Sequence, residues 1–292
     1  MTQGLLDLSG AAPRPPPAGQ LLKWIGNKQR FAAGILAAFP KTYGTYHEPF
    51  IGSGAVLATL APRQAVAGDV LKPLVQLWQA VQQRPDEVHD WYAQRWHQVM
   101  EGDKVAAYKA IRASFNADPN PADLLFLSRS CYGGVIRFAR DGSMNTPCGA
   151  HRPIRPEDFA KRLADWSPRL AGTRFVHADF QELMDAAQPG DLVYCDPPYA
   201  DSEITLYGAQ KFSLQRLFDT IERCRDRGVH VALSIDGTKR SGDRVCDVPI
   251  PSGIFAQEAV VDVGRSMLRR FQMQGQTLES ERVSDRLFLT WP

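Results

Sequence analysis

Hydrophobic positions along the chain follow two rhythms. Short, nearly continuous apolar runs alternate with longer stretches in which apolar residues recur every three or four positions. The first rhythm belongs to buried strands and the second to amphipathic helices. "TYHEPF", "QAVAGD", "TRFVHAD", "DLVYCD", "HVALSID" and "RLFLTW" read as strands. Lys28 to Phe39 reads as a helix ending at Pro40, "AVLATLA" as a second, and "FSLQRLFDTIERCRDRG" as a later one. Strands and helices alternate in both flanks of the chain, which predicts an α/β domain.

The middle has a different character. From about Pro73 to Trp166 the pattern is mostly helical, rich in Gln, Ala and Trp. "PADLLFLSRSCYGGVI" continues as helix and turn, and "RFARDGSMNTPCGAHRPIR" as a loop or hairpin turning at Asp-Gly. "RPEDFAKRLADWSPRL" is helical again, with Glu157 and Asp158 in its first turn. The expected organisation is a disordered Pro-rich tail over 1–20, an α/β domain built from 21–72 and 174–292, and a helical insertion over 73–173 with a hairpin near 132–149.

Composition narrows this only a little. A chain of 292 residues that is 44% hydrophobic can bury a sizeable core. It lacks the run of about 18 apolar residues that a membrane span needs. The start, "MTQGLLDLSGAAPRPPPAGQ", has no secretory pattern. Five scattered cysteines without CxxC spacing predict reduced thiols and a cytoplasmic location. The six histidines show no metal-ligand spacing, so no metal is expected. A formal charge of +2 neither announces nor excludes a nucleic-acid partner.

Two motifs carry chemistry. "EPFIGSGAV" places Gly52 and Gly54 at a strand-to-helix turn, where the backbone can approach a ligand. It is neither GxGxxG nor a P-loop. Asp69, at the end of the next strand, can accept both hydroxyls of a ribose, or can instead cap the helix starting near Lys72. Together they suit an adenosine ligand without a pyrophosphate, such as S-adenosylmethionine (SAM). "DPPY" follows the apolar run "LVYC". Asp196 offers a carboxylate at a strand's carboxyl end, Pro197 and Pro198 leave only carbonyl acceptors, and Tyr199 offers a stacking face. Acceptors beside a flat surface suit an amino-bearing base. Cys195 is expected to point away from Asp196 by strand alternation.

These residues resemble the Dam-type, or D12 class, DNA N6-adenine methyltransferases. "LLKWIGNKQR", "EPFIGSGAV", "AGD" and "DPPY" look like that family's motifs in that family's order, over roughly Leu21 to Trp291. The resemblance implies a SAM-dependent Rossmann-like methyltransferase domain with an inserted, mainly helical target-recognition domain. It implies methyl transfer to a flipped-out adenine of double-stranded DNA, with cytosine N4, an RNA adenine or a non-catalytic DNA-binding relic as the alternatives. Asp196, Pro197, Pro198 and Tyr199 would be catalytic. Trp24, Lys28, Glu48, Phe50, Gly52, Gly54, Asp69 and Asp196 would hold SAM. Arg129, Arg137, Arg140, Asp141 and Asn145 would meet DNA, within a segment carrying five arginines against one acid. Lys239, Arg240, Arg265, Arg269 and Arg270 could extend that basic surface. Family members that read GATC carry a basic residue where this chain has Asp141, so a different site is expected. A cognate restriction endonuclease is an allowed partner, and a monomer or weak dimer the expected assembly.

Overall fold

The computed structural model describes residues 14–139, 141–198, 212–236, 248–265 and 282–292. Its strands are β1 (Tyr46–Glu48), β2 (Ala65–Asp69), β3 (Thr173–His177), β4 (Leu192–Cys195), β5 (His230–Asp236), β6 (Gln257–Arg265) and β7 (Arg282–Leu289). They form one sheet in the order β3-β2-β1-β4-β5-β7-β6. The first five strands run parallel, and β7 lies antiparallel between β5 and β6. Strand order reverses between β1 and β4. In open α/β sheets the crevice at such a reversal is where ligands bind.

The sheet is buried on both faces at its centre. Along β4, Leu192 and Tyr194 join one apolar cluster while Val193 and Cys195 join the other. That is the period-two alternation of a strand covered on both sides. Helices α1 (Ala32–Ala37), α2 (Ala55–Leu60) and α3 (Lys72–Gln83) contribute to the first cluster. Helices α8 (Phe180–Asp185) and α9 (Leu214–Asp226) contribute to the second.

Between β2 and β3 the chain builds α4 (Pro85–Met100), α5 (Lys104–Ala117), α6 (Pro121–Ser130) and α7 (Pro156–Trp166). Proline sits in the first turn of α4, α6 and α7, where its missing N–H costs nothing. Asp103 caps α5 and Asn120 caps α6. Helix α6 is buried from Ala122 to Ser130, among α3, α4 and α5. Trp78 stacks on Trp166 at 5.5 Å and Tyr92 on Phe159 at 4.2 Å.

Four expectations need adjusting. Helix α1 starts only at Ala32, because Lys28–Phe31 is a turn closed by the Phe31 N–H on the Lys28 carbonyl. Helix α8, capped by Asp179, and strand β6 were not anticipated. The long helical middle breaks at Arg84–Pro85 and Glu101–Asp103. The tail expected to be disordered over 1–20 is held over its last part. Arg169 donates to the Pro15 carbonyl at 2.9 Å, Trp166 to Gly19 at 2.8 Å, and Arg162 to Gln20 at 2.6 Å. An extended Pro-rich backbone leaves its carbonyls unpaired, so side-chain donors can fasten it. Residues 1–13 lie outside the described residues.

Candidate functional site

The carboxyl ends of β1, β2 and β4 converge on one crevice. After β1, Gly52 and Gly54 both adopt left-handed backbone, with φ of 41° and 64°. A Cβ on Gly52 would lie 3.1 Å from the Trp24 ring, and one on Gly54 3.0 Å from Trp78. Glycine is therefore required twice, for conformation and for space. The Ile51 N–H donates to the Gly68 carbonyl at 3.0 Å, tying this loop to the end of β2.

Asp69 stands at that end. Its carboxylate accepts from Leu71 N–H at 3.0 Å and lies 3.5 Å from the Gly52 nitrogen. Helix α3 has no side-chain cap at Leu71, so the capping alternative for Asp69 does not hold in its simple form. Burial pushes the Asp69 carboxyl up to about 6, against the opposing pull of backbone N–H groups.

Lys28, Glu48 and Asp196 meet at the centre. The Lys28 ammonium lies 3.4 Å from Asp196, with 6% of the lysine side chain and 18% of the aspartate side chain exposed. Glu48 is buried and accepts a 2.7 Å hydrogen bond from the Tyr46 hydroxyl. Burial, and then the nearby Asp196 charge, push the Glu48 carboxyl up to about 8 despite that hydrogen bond. Pro197 is buried and Pro198 half-buried, while Tyr199 lies outside the described residues. Cys195 faces away, fully buried, with its sulfur 3.8 Å from that of Met184. Burial pushes its thiol well up, which disfavours a nucleophilic thiolate.

An apolar wall closes one side. Phe50 stacks on Phe180 at 5.3 Å, and Phe212 meets Phe50 edge-on at 6.0 Å. Arg216 lies 4.6 Å over the Phe180 ring and pairs with Asp179. Of these only Phe50 was expected. Asp179 and Phe180 come just after the end of β3 as Asp69 closes β2, and that acidic residue at a strand's carboxyl end is the sequence signal that could have found them.

The hairpin after α6 is pinned at both ends. Tyr132 N–H donates to Pro147 and Gly149 N–H to Ser130, each at 2.8 Å, and Gly142 makes the turn with φ of 84°. One face of α5 fastens the returning strand. Lys104 donates to the carbonyls of Gly149, Ala150 and His151, and Tyr108 to Thr146. Arg112 donates to Asn145 and Thr146, and Asn116 exchanges two bonds with Met144. These four residues recur every fourth position, so they form one stripe.

Outward from the hairpin point Arg137, Asp141 and Asn145. The Asp141 carboxylate accepts from the Ser143 N–H and hydroxyl, which hold it below the usual range. Tyr132, missed in the sequence, exposes 54% of its surface beside them. Arg129 is a correction. It is buried, donating to the Gln20 and Leu21 carbonyls at 2.8 Å each, because α6 is the hub of the helical insertion. Of the segment's arginines, Arg137, Arg152 and Arg155 are exposed. Arg140, Lys239, Arg240, Arg269 and Arg270 lie outside the described residues, as does the side chain of Arg265.

The family model for D12 class N6 adenine-specific DNA methyltransferases matches residues 24–260. The chain belongs to this class. It is a SAM-dependent enzyme that methylates adenine N6 in DNA. Among its relatives, a DNA adenine methylase of Vibrio cholerae is 28% identical over 227 residues, covering 73% of this chain and 79% of that one. The DNA adenine methylase of Escherichia coli K12 gives the same figures. A type II methyltransferase of Lactococcus lactis subsp. cremoris is 28% identical over 230 residues, covering 73% and 79%. Among solved structures, an rRNA methyltransferase from Streptomyces viridochromogenes aligns over 94% of this chain and 90% of its own, at 15% identity and a TM-score of 0.36. That likeness bears on nothing here, and the Rossmann-like assignment rests on the sheet order. Among the described residues, no helix is long and apolar enough to cross a membrane, and no His/Cys/Asp/Glu group could hold a metal ion.

Proposed function

We propose that this methyltransferase binds SAM in the crevice between β1, β2 and β4 and methylates a flipped-out adenine beside Asp196. The observation that carries the reading is the convergence of three acidic side chains, Glu48, Asp69 and Asp196, with one lysine, Lys28, at the sheet's switch point. Such a donor set suits a ligand with ribose hydroxyls and two cationic centres. Trp24, Gly52 and Gly54 would shape the cradle, and Phe50 with Phe180 would pack on a flat ring.

SAM, when bound, supplies an electrophilic methyl carbon. The protein's part is to present the amine. Asp196 and the Pro197 carbonyl would accept the amine's two hydrogens. That favours a pyramidal nitrogen with an available lone pair and stabilises the positive charge that grows on it. Two prolines stiffen this acceptor frame. Tyr199 would stack on the base. The adenine must leave the duplex to reach the crevice. Exposed Arg137, Arg152 and Arg155 would meet phosphates, and Asp141 and Asn145 base edges. Tyr132 offers an aromatic face at the same surface, suited to the stack a displaced base leaves.

Asp141 can accept from cytosine N4 where a basic residue would read guanine, so the recognised site would differ from GATC. Strand-by-strand modification is compatible with a monomer or weak dimer. Similarity to the Lactococcus type II enzyme supports a role beside a restriction endonuclease. The test is transfer of labelled methyl from SAM to unmethylated duplex DNA, followed by nucleoside analysis and mapping. N6-methyladenine at a non-GATC site, abolished in Asp196→Ala, is expected. Turnover retained by Asp196→Ala refutes the catalytic assignment, and mapping to GATC alone refutes the site prediction.

A further inference from the structure

Arg129 connects two parts of the molecule that the sequence keeps 108 residues apart. It lies one turn before the hairpin, at the end of α6, yet its guanidinium points inward and holds the carbonyls of Gln20 and Leu21. Its exposure is 6%, and it lies 5.8 Å from the Phe159 ring. The chain beyond Leu21 then runs directly into the crevice. The Lys23 stem lies against Gly134, where an added Cβ would be 2.9 Å from it, and the Trp24 ring lies on Gly52. Lys28 reaches Asp196. Upstream, Trp166 and Arg169 hold the carbonyls of Gly19 and Pro15.

We infer that residues 15–21 form a strap that sets the cofactor-facing segment Trp24–Lys28, and that Arg129 is the positioning residue at its inner end. The inference rests on the proposed placement of SAM. The physical reason is that the short segment from Leu22 to Asn27 contains no helix or strand of its own. An irregular segment keeps its course only where its backbone groups find partners elsewhere. Both carbonyls are held by one guanidinium nitrogen, Nη1, which stands one bond beyond the reach of a lysine ammonium at the same position. Arg129 therefore touches neither DNA nor cofactor, and acts through Leu21 on residues that face the crevice.

The experiment uses the full chain with Arg129→Lys and, separately, Trp166→Phe, which removes the donor to Gly19 but retains a ring against Trp78. Isothermal titration gives SAM affinity well below the unfolding temperature, and fluorescence anisotropy gives affinity for a duplex oligonucleotide. Arg129→Lys should weaken SAM about tenfold with DNA affinity within about twofold, and Trp166→Phe should shift SAM the same way by less. Weakened DNA binding with unchanged SAM affinity in Arg129→Lys would return Arg129 to the DNA surface and overturn the strap. Unchanged affinity for both in either folded variant would reduce these contacts to fold stability and overturn it too. Lys28→Ala separates the underlying reading. If it leaves SAM affinity intact, the placement of SAM fails; if it lowers affinity while Arg129→Lys does not, only the strap fails.

Discussion

Replacing Glu48 by glutamine should make the protein's stability less dependent on pH, and the size of the effect can be worked out. Burial, with Asp196 nearby, holds the Glu48 carboxyl at about 8 against an ordinary value of 4.5. Between those values the folded protein keeps a proton that the unfolded chain has released. Stability from this group is therefore fully present below the ordinary value and is lost as pH rises through about 8. At 1.36 kcal/mol per unit, the loss between about pH 5 and pH 8 comes to roughly 3–4 kcal/mol. Glutamine stays neutral throughout, and its side-chain oxygen can still accept from Tyr46. Asp69, held at about 6 by burial, titrates in both proteins and cancels in the difference. Urea unfolding of both proteins at several pH values is the assay. The variant should gain on the wild type by that amount as pH rises. Parallel stability curves would refute the reasoning, because Glu48 would then be ionised in the fold at all these pH values.

Other substitutions probe neighbouring parts. Arg137→Ala should weaken duplex binding and flatten the dependence of log affinity on log salt by about one unit, read by anisotropy over a salt series. Gly54→Ala meets both a φ of 64° and the Trp78 ring at 3.0 Å, so a cost of about 1–3 kcal/mol in urea unfolding is expected. Cys195→Ala should cost about 1–2 kcal/mol through its small cavity and leave methyl transfer intact; loss of turnover in a folded, SAM-binding variant would place the thiol in the chemistry.

Much of this architecture could be read from residue order, for a physical reason. A parallel sheet buries its strands on both faces, so "LVYC" and "AVAG" stand out as apolar runs, and each ends on the carboxylate that enters the crevice. Glycine at 52 and 54 was equally legible, because a strand-to-helix turn of this kind admits little else. Arg129 misled because an arginine beside a basic hairpin carries no mark of its direction. Only the burial of α6 on all sides turns it inward. The strap was hidden for a related reason. Proline-rich composition predicts an extended backbone but not the side chains that fasten it. Helix α8 is short and β6 lies at the sheet's edge, where the apolar signal is weak.

The stripe along α5 has a consequence for how such an enzyme changes its target over evolutionary time. Lys104, Tyr108, Arg112 and Asn116 grip the hairpin by hydrogen bonds to main-chain atoms of residues 144–151. The outward residues Arg137 and Asn145 therefore sit on a mount indifferent to their side chains, whereas Asp141 also ties the turn through Ser143. On the proposed DNA-facing role, exchanging Arg137 or Asn145 would alter what is read without loosening the frame that holds it. Drift at those positions would then found a new specificity in single steps, each leaving the main-chain anchorage of the hairpin in place.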